Sequence, residues 1–140
     1  MDDVEMDIAN VLNISAAGLD AQDTRLKVIA ENIANADTTG TTPGAAPYQR
    51  QTVTFTDQID QASGIPLVEV SQIGTDPSPD PTRYDPGNPA ADAQGFVKLP
   101  NVSEMVELID MQQAERSYSA NLSVMQASHA MLTRTLALLQ

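Results

Sequence analysis

Two apolar stripes of the same period, one toward each end of the chain, limit the possible folds more than any other feature. The first runs Ile8, Leu12, Ser15, Leu19, Gln22, Leu26, Ile29, Ile33; the second runs Leu108, Met111, Glu115, Tyr118, Leu122, Met125, His129, Leu132, Leu136, Leu139. Steps of three and four residues alternate without a break. That spacing draws one seam along an α-helix made to pack lengthwise on another helix, with a left-handed supercoil. Ends of this kind are packing surfaces, which suits a building block better than a catalyst.

The residues between the stripes cannot extend either helix. All nine prolines and six of the seven glycines fall between Thr38 and Pro100. The spacing predicts a first helix over 1–37, opened by the acidic run Asp2 to Asp7 at the positive end of the helix dipole. It closes near Asn35 to Asp37, before Thr38-Thr39-Gly40 and Pro43-Gly44, and is roughly 50 Å long. The last helix is expected over 101–140, with Asn101 as its N-cap after Pro100 and Glu104 reaching back as in a capping box. In the central segment, 38–100, three stretches read as strands: Gln51 to Thr56, Pro66 to Ile73 and Gly95 to Leu99. The prolines of Thr75 to Pro81 force extended backbone between the second and third. The expected fold is mainly α, with long terminal helices paired as an antiparallel coiled coil around a small β-rich, Pro-rich excursion.

Aromatic residues are few, with no Trp, two Phe and three Tyr, so the apolar content suits helix seams better than a compact core. A net charge of −12 repels phosphate backbones and anionic lipid, which argues against nucleic-acid binding and membrane-surface binding. No stretch has the length and apolarity of a membrane span, so direct membrane insertion is not expected. The acidic N-terminus lacks the basic region and apolar core of a signal peptide, so any export is expected without a cleaved signal. Absence of cysteine removes disulfides, thiol catalysis and thiolate metal sites.

No residue set reads as a catalytic, cofactor or metal site. His129, the one histidine, sits on the second stripe beside Met125 and Leu132 and reads as a seam residue that tunes register, since no triad partner accompanies it. Asp76, Asp80, Asp85 and Asp92 do not follow the spacing of a calcium loop, and Pro89 falls where a ligand is required. The sequons at Asn13, Asn101 and Asn121 lie in predicted helices or at a predicted cap and read as chance.

An antiparallel return sets Ile8 opposite His129, Leu12 opposite Met125, Leu19 opposite Tyr118, Leu26 opposite Met111 and Ile29 opposite Leu108. Gln22 then meets Glu115, so the two most polar stripe positions satisfy each other; a one-heptad slide would strand each against hydrocarbon. Ile14, Val28, Val106, Ile109, Val124 and Met131 flank the stripes and widen the apolar surface beyond a two-helix seam. Further helices, from other copies or other subunits, are therefore expected to cover it.

Particular residues carry a family resemblance. Glu31-Asn32-Ile33-Ala34-Asn35-Ala36-Asp37-Thr38-Thr39-Gly40 resembles the N-terminal signature of bacterial flagellar rod and hook proteins, carried by Asn32, Asn35, Thr38 and Gly40. A narrower match combines Asp76-Pro77-Ser78-Pro79 with Tyr84 to Val97, including Asp85, Pro86, Pro89, Asp92 and Gly95. It continues through Leu99-Pro100-Asn101-Val102 and Tyr118-Ala120-Asn121, and resembles the proximal-rod FlgC family over nearly the whole chain. The resemblance implies an axial subunit of the flagellar basal body, in a rod spanning the periplasm, exported by the flagellar type III apparatus. Subunits of that kind assemble with copies of themselves and with other rod subunits through paired terminal helices, forming a tube that transmits torque. The competing expectation is a soluble helical adaptor or export-associated binding module; an enzyme on the acidic loop ranks far behind.

Overall fold

A computed structural model of the chain describes residues 2–61 and 63–138, with side chains over 6–61 and 63–137. Leu139 of the second stripe and the side chains of Asp2, Asp3 and Glu5 lie outside the described residues. Helix α1 spans Asp2–Ala34, and helix α2 spans Glu104–Leu138. Between them run strands β1 (Gln51–Ile59), β2 (Pro66–Thr75), β3 (Thr82–Tyr84) and β4 (Phe96–Lys98). Strands β1 and β2 form one two-stranded sheet, and β3 and β4 another. The three expected strands are present. β3 was not anticipated, because three residues just after a run of prolines carry too little periodicity to register as a strand.

α1 ends at Ala34, and residues 35–37, where the close was expected, form turns. The Asn35 amide still donates to Glu31 O at 3.1 Å, while Ala36 and Thr38 donate to Ile33 O and Asn35 O in tighter turns. The start of α2 requires a correction. The Glu107 amide donates to Ser103 O at 3.0 Å, which makes Ser103 the first helical acceptor and places Asn101 outside the helix. Glu104 therefore stands at the first helical position, not the third, and the capping box built on Asn101 does not form.

The chain divides into two compact units. One comprises Met1–Leu26, Thr54–Gln72 and Gln112–Gln140; the other comprises Lys27–Val53 and Ile73–Met111. Among the described residues of the first unit the buried positions are small: Ser15, Gly18 and Ala21 on α1, and Ala114 and Ser128 on α2. A methyl group at Gly18 would stand 2.5 Å from Asn121 Nδ2, so glycine permits the two helix surfaces to touch there. In the second unit the buried apolar residues include Val28 and Ile29 on α1, Ala90 in a loop and Val97 at the centre of β4, with Pro47 and Pro100.

β4 pairs antiparallel with β3, setting Arg83 against Val97 and Tyr84 against Phe96. The Tyr84 and Phe96 rings meet edge to face at 5.4 Å. Gly95 leads into β4 at φ 84°, and a side chain there would meet the Tyr84 ring at 2.9 Å, so backbone conformation and space both require glycine. Asp92 shapes the approach to β4 by accepting the amides of Gln94 and Phe96 through Oδ1, each at 2.9 Å.

Candidate functional site

Within the second unit, four separated pieces of chain converge on a buried polar cluster. Asn32, near the end of α1, is 1 % exposed and makes four hydrogen bonds, the full complement of a side-chain amide. Its Oδ1 accepts the Gln51 amide at 2.8 Å and the Tyr48 hydroxyl at 2.9 Å. Its Nδ2 donates to Gln51 O at 2.9 Å and to Glu107 Oε2 at 3.1 Å. One asparagine thus ties the first helix to the strand that follows it and to the start of the last helix.

Glu107 is fully buried, and its other oxygen is matched as well: Arg50 Nε donates to Oε1 at 2.5 Å. A charge removed from water is tolerated only when paired and hydrogen-bonded, and Glu107 has both kinds of partner. Arg50 reaches further, to Asp76 and Asp110, each at 3.5 Å. Burial opposes the charge on Arg50, but the hydrogen bond and charge of Glu107, then of Asp76, outweigh it and hold the guanidinium above its ordinary value.

Asn101, freed from capping, stitches the same region together. Its Oδ1 accepts the Arg50 amide at 2.8 Å, and its Nδ2 donates to Asp76 O at 3.0 Å and Ser78 O at 3.2 Å. The Asp76 amide in turn donates to Arg50 O at 2.8 Å. These bonds satisfy backbone groups where β1 begins and β2 ends, beyond the regular ladder.

The cluster sets a pH window. Hydrogen bonds from Ser78 and then Arg50 lower the pKa of Asp76, while burial, then Glu31 and Glu107, raise that of Tyr48. A lowered carboxylate stabilises the fold fully above its unfolded value, and this contribution is lost as pH falls through the lower folded value. A raised phenol contributes fully below its unfolded value, with loss as pH rises through the folded one. Stability should therefore be greatest between about pH 4 and pH 10. An acid titration followed by circular dichroism should show the lower limb shallower in Asp76→Asn; an unchanged limb would contradict the assignment.

Other family-motif residues shape turns. Asn35 donates to Glu31 O at 2.9 Å and accepts the Thr38 hydroxyl, while Thr38 O accepts the Tyr48 amide. A methyl at Gly40 would collide with Ala45 Cβ at 2.5 Å. The Asp85 amide donates to Gly95 O at 2.9 Å, and Pro86 stands against Gly95. Pro89 is exposed, Pro100 buried.

Of the stripe residues, Ile29 is buried, and Ile8, Leu12, Leu19, Gln22, Leu26, Ile33, Met111, Tyr118, Met125 and Leu132 are half-buried. The remaining row on α2 differs from expectation. Leu108, Glu115, Leu122, His129 and Leu136 are exposed, and the row one residue earlier, with Glu107, Ala114 and Ser128, is buried instead. Both rows share Met111, Tyr118, Met125 and Leu132, so the helix is turned by less than one residue toward its smaller side chains. The contacts also slide. The anticipated register sets Asn32 opposite Met105 and Gly18 opposite Ser119, whereas Asn32 bonds Glu107 in one unit and Gly18 meets Asn121 in the other. The expected Gln22 and Glu115 contact does not satisfy Gln22: its Oε1 is buried without a hydrogen-bond partner, and Glu115 stands exposed beside Gln112, Arg116 and Ser119.

Sequence reasoning missed Tyr48, Arg50, Gln51, Glu107 and Asp110 as members of the cluster. One signal was available: Arg50 is one of seven basic residues among nineteen acidic ones, placed where the chain leaves the loop for β1.

Comparison with known proteins gives two family matches. Residues 12–41 match the family described as Flagella basal body rod protein, and residues 93–138 match Flagellar basal body rod FlgEFG protein C-terminal. Asn32 and Glu107 therefore each lie inside a matched segment. The flagellar basal-body rod protein FlgC of Agrobacterium fabrum is 49% identical, with 91% of each chain covered. The FlgC proteins of Escherichia coli O6:H1 and Borreliella burgdorferi are 40% and 37% identical, covering 95% and 96% of this chain and 98% and 99% of their own.

Proposed function

The chain belongs to the FlgC family of flagellar basal-body rod proteins, and from that membership we propose how its two helices serve assembly. It is a structural subunit of the basal-body rod and not an enzyme. α1 and α2 pair antiparallel along a seam of small residues, a reading supported by the Gly18 contact with Asn121 and the Asn32 bond to Glu107. The helices join copies of this chain and other rod subunits in a torque-transmitting tube spanning the periplasm, after export through the flagellar type III apparatus.

The observation that carries this reading is the exposed apolar row on α2. Leu108 is 48% exposed, Leu122 38% and Leu136 47%, and the flanking Ile109, Val124 and Met131 are exposed as well. A helix whose small side chains face inward and whose large ones face outward leaves its main apolar area for neighbouring helices to cover.

Replacing Leu122 and Leu136 together with Asp tests the assignment, because exposed side chains add little to the stability of the isolated subunit. Motility should be lost and no rod isolated, while expression and the helical circular dichroism of the purified protein stay as in the wild type. Motile cells carrying this double variant would overturn it.

A further inference from the structure

The first unit contains an open groove of about 630 Å³ between one face of α1 and the β1–β2 sheet. Ala17 and Ala21 of α1 and Leu67, Val68 and Val70 of β2 supply apolar lining, and the exposed Asp20 and Glu69 supply an acidic rim. We propose that this groove receives the outer face of α2 from a second copy of the chain, with Arg134 of that copy against the acidic rim. The proposal rests on the reading of the chain as a self-assembling subunit and names the surface involved.

The occupant follows from charge. Arg116, Ala120, Val124, Ala127, Met131 and Arg134 are exposed and follow helical spacing, so α2 carries an apolar stripe with a cation at each end. Leu122 and Leu136 are exposed beside this stripe, on the stretch of α2 past Glu115 that carries no acidic residue, whereas exposed apolar groups nearer the other helix ends have acidic company. Met6 and Val11 of α1 lie beside Asp7, and Met105, Leu108 and Ile109 lie beside Glu104 and Asp110. Like charge at the rim disfavours both of those faces, and on the acid-free stretch of α2 the Arg116 to Arg134 face is the one with a cation at each end. The dimensions agree as well. The groove-lining residues Ala17 to Thr24 cover two turns of α1, roughly 10 Å, and Ala127 to Arg134 at the end of the stripe span roughly the same length. With Arg134 at the rim, Met131 and Ala127 lie over the apolar lining.

The chain has no cysteine, so single introduced cysteines report contacts without background. Gln58→Cys and Ala127→Cys, carried on differently tagged full-length copies in the same motile cells, should form a disulfide-linked pair in isolated basal bodies after mild oxidation. Glu69→Arg or Arg134→Glu alone should lower the yield of that pair about tenfold, and the two together should restore it. Intact rods lacking the cross-link, a cross-link from Gln58→Cys to a different rod protein, or no rescue by the charge swap would each overturn the proposal while leaving the rod assignment standing. If the cysteine variants fail to build rods, the same oxidation of the purified mixed proteins decides: a cross-link lost with Arg134→Glu supports the groove, and no cross-link overturns it.

Discussion

Asn32→Ala should destabilise the subunit by about 4 kcal/mol, measured as the shift in its urea unfolding midpoint at unchanged slope. The substitution removes four hydrogen bonds and leaves their partners in place: the Gln51 amide and carbonyl, the Tyr48 hydroxyl and one oxygen of Glu107. Each buried group left unpaired costs about 1–3 kcal/mol, and the total stays below the simple sum because water can enter beside the half-buried Tyr48. Asn32→Asp keeps the shape and should be at least as harmful. Its carboxylate can still accept from Gln51 and Tyr48, but where Nδ2 donated it would place a second anion against the buried Glu107. A loss below about 1 kcal/mol for either variant would show that the cluster is incidental to stability.

Glu107→Ala should cost about 3–5 kcal/mol, because it removes the buried acceptor of both Arg50 and Asn32. Arg50 is partly relieved by Asp76 and Asp110, which keeps the effect within that range. Glu107→Gln is the more informative change. Both carboxylate oxygens accept from N–H donors, so a glutamine must turn its own amide toward Arg50 Nε or Asn32 Nδ2 and set donor against donor. It should therefore lose about 2–3 kcal/mol despite its matching size. In a double-mutant cycle with Arg50→Met, a coupling of about 2 kcal/mol or more is expected; independent losses would mean that the pair does not act as one unit.

The terminal helices and three of the four strands were legible because periodicity, proline and glycine report local conformation directly. The inner surface of α2 was harder to read. A search for apolar periodicity favours Leu108, Leu122 and Leu136, yet close approach of two helices favours Ala114 and Ser128. Hydrophobicity marks the area that will be covered and does not distinguish covering by the same chain from covering by another. The polar cluster was half legible. Asn32 and Asn101 stood out as motif residues, but what they do depends on Tyr48, Arg50, Asp76 and Glu107, which are distant in sequence and carry no shared period. Family membership decided between a rod subunit and a soluble adaptor, since exposed apolar helices would serve either.

The sequence separation of the cluster bears on the order of events during folding. Asn32 and Glu107 are 75 residues apart, and the segment between them supplies Tyr48, Arg50, Asp76 and Asn101. A contact of that span closes only after a large loss of chain entropy, and its reward arrives late. A chain made N-terminus first has the amide of Asn32 long before the carboxylate of Glu107 follows. The cluster therefore acts as a completion signal: the second unit locks only once the opening turn of α2 is present, so a subunit truncated before residue 107 cannot acquire it.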